Sequence, residues 1–329
     1  MISKPLLDLT PSAAIPYLQA RGFRDVRVSE LPGGVSNTVL LVEHKDGRFV
    51  LKQALPQLRV EQEWLCDLRR IYVECLAIRI ASDLLPPESV PEVLFEDQPN
   101  FAFAMTAAPE GSVTWKSHLL AGNANPSTGE QVARTLALLI RHSWQSPELG
   151  QAFADTSIFE DLRLAPYYTT TGSRHPDLKE RLDQIAANCR ARRYSLVHGD
   201  YSPKNILVSG ARSIVIDFEV MHFGDPSFDA AFLLNHLLLK TFYGIAGAPA
   251  VARAFWRVLT EEMPAADWFE AAVLEHLGGL LLARMDGKSP VEYIRDEALK
   301  TRIRQFARKL ILSRPDSVLE VWKRYDNQH

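Results

Sequence analysis

Four polar residues interrupt apolar runs in the 329-residue chain: Lys52 in FVLKQAL, Asp200 and Asn205 in SLVHGDYSPKNILV, and Asp217 in VIDFEV. A charge in an apolar segment is costly unless it is partnered, so each is a candidate for chemistry. Asp200 can take a proton from a hydroxyl. Asn205, five residues later, can offer a metal ion a neutral oxygen. Asp217 ends an apolar strand twelve residues after Asn205, and VSGARS between them reads as a short turn. That hairpin returns Asp217 to the mouth where Asn205 lies. A carboxylate and an amide oxygen converging there suit Mg2+, which takes a few oxygen ligands alongside phosphates and water. Glu219 points the same way as Asp217 in an extended chain, which makes it a candidate metal or substrate contact. His198 is expected to brace the loop. Lys52 either reaches solvent from an edge strand or holds a phosphate, steadied by a helix carboxylate. Glu74 is the expected partner, with Glu63 and Glu61 behind it. Upstream, LPGGVSNTVLL sets Gly33 and Gly34 in a turn between strands, followed by Ser36 and Asn37. Such a turn is an ordinary connection or a nest of backbone N–H groups for phosphate.

The elements that must position these residues fall into two blocks. PSAAIPYLQAR reads as a short helix. VRVSEL, TVLLVEH and RFVLKQAL read as strands, the last two joined at KDG. The polar run from Glu61 to Arg79 carries Leu65, Leu68, Ile71, Leu76 and Ile80 at helical spacing. VPEVLFED and NFAFAMTAA follow as strands around DQPN. Beyond Pro109 the reading turns helical. STGEQVARTLALLIRHSWQ is a helix capped by Ser127 or Thr128, PDLKERLDQIAANCRARR is another, and almost everything after Ser227 follows. AGNANPSTG reads as a loop. The fold class is α+β, with a small antiparallel sheet first and a larger helical block second.

Composition narrows the function. With 47% hydrophobic and 23% charged residues the chain is ordinary for a soluble globular protein, and a net charge of -3 argues against nucleic-acid or anionic-membrane partners. Cys66, Cys75 and Cys189 have no CxxC spacing and read as reduced core filler. No window reaches the ~18 apolar residues of a spanning helix, LLNHLLLKTF being broken by Asn235, His236 and Lys240. The N-terminus does not read as a signal peptide. A cytoplasmic protein, monomer or homodimer, is expected.

HGDYSPKN, followed by IDFE and GDPSFD, resembles the aminoglycoside and choline kinase group of small-molecule phosphotransferases. LKQALPQLRV, Trp64, VPEVLFED and APYY make the first lobe similar to methylthioribose kinases, from which the catalytic loop departs at Asn205 and at Asp217-Phe218-Glu219. The resemblance implies a two-lobed protein-kinase-like fold, with a nucleotide-binding lobe at 1–105 and a helical lobe at 106–329 carrying the catalytic loop and acceptor site. It implies ATP and Mg2+ as cofactors and a small sugar or amino-alcohol-like hydroxyl acceptor as partner. Lys52 would contact the α- and β-phosphates and pair with Glu74. Thr106 and Ala108, just after Met105, would meet adenine through their backbone. Asn205 and Asp217 would hold Mg2+, Asp200 would orient and deprotonate the acceptor, and Asp225 and Asp229 would anchor the segment behind.

Arg284, in ARMDGKSPVEY, is either a contact for an anionic or hydroxylated substrate or a cation at a helix C-terminus. The second lobe has no dense acidic run, which disfavours a polycationic antibiotic. An antibiotic phosphotransferase and a silent nucleotide-binding scaffold stay as alternatives.

Overall fold

The structure is a computed structural model that describes residues 7–32, 36–57 and 66–327. The chain folds into two compact units. The first runs to Glu110 and takes in the tripeptide Asp217–Glu219; the second comprises Gly111–Ile216 and Val220 onward.

In the first unit, alternating apolar residues build an antiparallel sheet in the order β1-β2-β3-β5-β4. Its strands are β1 Arg27–Glu30, β2 Asn37–His44, β3 Gly47–Ala54, β4 Val93–Asp97 and β5 Ala102–Thr106. One face packs against α1, Pro11–Gln19, through Leu18, Leu40, Val42, Phe49, Leu51 and Ala104. Strand alternation puts Lys52 on the opposite face from Leu51. Lys52 also pairs with Val39 on one side and Phe103 on the other. It therefore lies in an interior strand and is 4% exposed, so the edge-strand reading is excluded. Tyr17 Oη and Arg21 Nη2 both donate to Asp97 Oδ2, at 2.8 and 2.6 Å, tying α1 to the end of β4.

Helix α2 spans Arg70–Leu84, so it starts later than the expected run, and Glu61, Glu63 and Trp64 lie outside the described residues. Its buried side is Ile71, Glu74, Cys75, Ala77, Ile78 and Ala81, whereas Leu76 faces solvent. Of the apolar positions expected to face inward, Ile71 is buried but Leu76 is not, so the expected phase does not hold along the helix. Cys66 precedes it and is half-buried, unlike the buried Cys75 and Cys189.

The second unit is mainly helical. Helix Pro126–Ser143 begins inside the expected loop, because Asn125 Oδ1 accepts the Ser127 N–H at 3.0 Å and Pro126 takes the first helical position, where its missing N–H leaves nothing unsatisfied. The cap is Asn125, not Ser127 or Thr128. Strands Ile206–Ser209 and Arg212–Val215 form the expected hairpin, and Val113–Thr114 adds to its edge. Ser195–Val197 pairs with His222–Gly224. Helix Ser227–Phe242 is buried along nearly its whole length and packs on Phe269–Asp286. Among the described residues no helix is long and apolar enough to cross a membrane.

Candidate active site

In the first unit the chemistry gathers on Lys52. Its Nζ lies 2.8 Å from Glu74 Oε1, on α2, and 2.6 Å from Asp217 Oδ1. Burial works against its charge, but the carboxylates of Asp217, Glu74 and Glu219 outweigh that and hold the ammonium above its ordinary pKa. Burial likewise pushes the Glu74 carboxyl up, to about 7, against the pull of Lys52. Lys52 is thus a fixed cation among surplus acid.

Asp217 has a backbone φ of +70°, a left-handed conformation that a non-glycine residue adopts at some cost. Two residues on, Glu219 is bound from all sides. Ser36 Oγ and Asn37 Nδ2 each donate to it at 2.8 Å, and Arg70 Nε at 3.2 Å. Arg70 is fully buried and also donates to the carbonyls of Ser36, Leu55 and Asp67. Sequence reasoning missed it, because one arginine at the start of a polar helix carries no local sign of a partner 149 residues away. The side chains of Ser36 and Asn37 therefore hold Glu219, and Glu219 anchors the tripeptide. Gly33 and Gly34 lie outside the described residues. Met105 is buried in β5. The Thr106 N–H is donated to the Glu92 carbonyl at 2.9 Å, and the Ala108 carbonyl accepts from Arg48 at 2.9 Å.

In the second unit the segment that carries Asp200 is braced by buried hydrogen bonds. Asp229 accepts the N–H groups of His198 and Gly199 at 2.6 and 2.9 Å. Burial pushes its carboxyl up to about 7, and those two donors oppose the rise. His198 Nε2 meets the Ile216 carbonyl at 3.1 Å, and its Nδ1 accepts the Asp200 N–H at 3.2 Å, which is the bracing expected of it. Gly199 has φ +78°, and a Cβ there would sit 2.9 Å from Val220 Cγ1. Asp200 pairs with Arg163 at 2.8 Å and with Lys204 at 3.2 Å. Asn205 Nδ2 donates to the Asp200 carbonyl at 3.1 Å, which fixes the amide plane. The Asn205 carbonyl accepts the Ile216 N–H at 2.9 Å, one residue before Asp217 in the chain. Arg284 is buried, its Nη1 donating to Tyr167 Oη at 3.2 Å. Asp225 Oδ1 accepts from the N–H and hydroxyl of Ser227.

The donor sets fit the groups that chemistry of this kind requires. Glu74, Asp217 and Glu219 bring carboxylate oxygens within 4.8 Å of one another in the first unit, and oxygen-only donors suit Mg2+. A fixed ammonium beside them suits a polyphosphate. Residues 27–274 match the profile of the Phosphotransferase enzyme family. The chain belongs to this family.

Methylthioribose kinase 2 of Oryza sativa subsp. japonica is 26% identical over 260 residues, 70% of this chain and 61% of that protein. A methylthioribose kinase of Bacillus cereus (strain G9842) is 25% identical over 263 residues, 71% of this chain and 66% of that protein. The chain thus spans less than two thirds of these relatives' length. Among solved structures, an amicoumacin kinase in complex with AMP-PNP, Ca2+ and Ami superposes with a TM-score of 0.60 at 15% identity, covering 94% of this chain and 96% of that one. A macrolide 2'-phosphotransferase from Brachybacterium faecium does so at 0.53 and 18%, covering 92% and 99%. These likenesses concern the fold, which is the α+β, two-lobed protein-kinase-like class shared by phosphotransferases of this family.

Proposed function

We propose that the chain is an ATP- and Mg2+-dependent kinase that moves the γ-phosphate to a hydroxyl of a small molecule. The observation that carries this reading is Lys52, an interior-strand ammonium held at 2.6 to 2.8 Å by Asp217 and Glu74. Such an arrangement keeps a cation charged and aimed, as phosphate binding requires. Asn205 and Asp217 would hold the metal, which when bound neutralises charge on the β- and γ-phosphates. Lys52 would take the non-bridging phosphate oxygens and Glu74 would keep its Nζ in place. Asp200 would accept the hydroxyl proton as the bond to phosphorus forms. Arg163 and Lys204, paired with its Oδ2, would keep the carboxylate ionised and aimed. His198 and Asp229 set the loop's backbone and touch no reacting atom.

The test pairs transfer with binding. Asp200→Asn should keep Mg2+-dependent AMP-PNP affinity and lower phosphate transfer by about 10²- to 10⁴-fold, the usual worth of a positioned base. Transfer at the parent rate would remove Asp200 from the reaction. A chain that binds AMP-PNP and transfers phosphate to nothing would instead be a nucleotide-binding scaffold.

A further inference from the structure

A second buried lysine lies in the second unit, and it is surrounded by cations. Lys240 is 0% exposed, and its Nζ reaches the His236 carbonyl only at a long 3.4 Å. The charged groups that act on it are Lys116 and Arg284, both repelling, and Glu292, attracting. Glu292 is already paired with Lys116. Half-buried His236 feels Arg284, Lys240, Lys204 and Lys116 together. The Tyr293 ring lies 5.4 Å from Lys240 Nζ and 6.0 Å from Lys116 Nζ. Its hydroxyl is buried without a hydrogen-bond partner among the described residues, as is Arg284 Nε. Arg284 Nη1 finds neutral oxygens, the Tyr167 hydroxyl and the carbonyl and hydroxyl of Ser289, and Glu292 is the one carboxylate that acts on Lys240. Positive charge and donors thus outnumber the acidic groups that answer them, the character of an anion-binding site.

The cluster is continuous with Asp200. Asp229, Phe232, His236 and Lys240 lie on one stripe of helix Ser227–Phe242, at spacings of three and four. Asp229 holds the loop that carries Asp200. Arg163, which pairs with Asp200, lies 6.0 Å from the Phe232 ring. Phe232 touches Tyr167, which accepts from Arg284, and also His236. Carboxylates and phosphates are the groups that multiple Arg and Lys donors recognise.

We infer that Lys240, Arg284 and Lys116 bind an anionic group of the phosphate acceptor, making that acceptor a small hydroxylated acid, carboxylate or phosphate monoester. This deepens the kinase reading and rests on it. A polycation would be repelled by the same wall, and a neutral sugar would leave the cations unmatched.

Thermal shift and calorimetry without nucleotide provide the test. The probes are inorganic phosphate, glycerol 3-phosphate, D-glycerate and D-gluconate, set against glycerol, sorbitol and choline. Hydroxylated anions should raise Tm by several degrees and the others should not. Response to the phosphates only, or to the carboxylates only, identifies the group. Lys240→Met and Arg284→Gln should each weaken anion binding at least roughly tenfold and leave Mg2+-dependent AMP-PNP affinity unchanged. Lys240→Met relieves a buried charge, so it should fold. Binding of glycerol, sorbitol or choline as tightly as the acids, failure of every anion, or unchanged anion affinity in both variants would overturn the inference. Transfer to neutral acceptors alone would overturn it and keep the kinase reading. Anion binding with no AMP-PNP binding would overturn the kinase reading, keeping the anion site but not its ligand's role as phosphate acceptor.

Discussion

Two lysines are buried among the described residues, and they live in opposite surroundings. Lys52 sits between Glu74 and Asp217 at salt-bridge distance, with Glu219 beyond. Lys240 sits among Lys116, Arg284 and His236, with a carbonyl at 3.4 Å. Burial opposes the charge of both, yet the balance goes opposite ways. The carboxylates lift the Lys52 pKa, whereas burial and the neighbouring cations lower that of Lys240 to about 7. The difference teaches that burial alone says little about a lysine's state. The first ammonium is complete within its own unit; the second has only Glu292 to attract it, and Lys116 holds that carboxylate.

Substitutions can break this contrast. The largest effect is expected at Lys52. Lys52→Met strands Glu74 and Asp217 as uncompensated acids and should destabilise the protein by about 3–5 kcal/mol, with AMP-PNP binding lost as well. Denaturant melts with calorimetry would read both. The same change at Lys240 should act with opposite sign. At pH 7, Lys240→Met should stabilise by roughly 2–4 kcal/mol; a fall in stability would mean that the lysine's charge is answered after all.

The pH dependence sharpens the contrast further. Between pH 7 and 10.5 an unfolded Lys240 holds a proton that the folded one lacks, so parent stability should rise with pH across that window relative to Lys240→Met. Above 10.5 the penalty is gone. The Lys52 contribution behaves in reverse, being full below the ordinary lysine value and lost only at more alkaline pH. Paired melts from pH 7 to 10.5 would show the two profiles converge. Smaller effects should follow from the residues that hold the backbone. Glu219→Gln weakens the tie to Arg70 and should cost about 1–3 kcal/mol. Gly199→Ala forces a Cβ against Val220 at a positive φ and should cost about 1–2 kcal/mol, visible as a lower Tm with AMP-PNP affinity retained.

Much of the first lysine's site was legible in the sequence, and little of the second. Lys52, Asp200, Asn205 and Asp217 interrupt apolar runs at fixed intervals, so local pattern and resemblance both find them. Glu74 was found by its place on a helix. Arg70 and Arg163 were missed because their partners come from distant segments. Lys240 was read only as a break in an apolar segment, since a lysine there looks alike whether it reaches water or not. Strand alternation tracks the sheet well, because period two leaves a mark in a few residues. The helix phase of α2 failed for the opposite reason. A stripe of small residues, Ala77 and Ala81, packs inward while Leu76 faces out, and hydrophobicity alone favours the larger side chain.

The tripeptide Asp217–Glu219 has a consequence for how the chain is made. It is the only late segment that belongs to the first compact unit among the described residues, and it arrives more than a hundred residues after Glu110. Until it emerges from the ribosome, Arg70 has no Glu219 and Lys52 has only half its counter-ions. The N-terminal sheet can therefore collapse early during synthesis but cannot seal its charged face, and its final locking waits on translation of the far side of the chain.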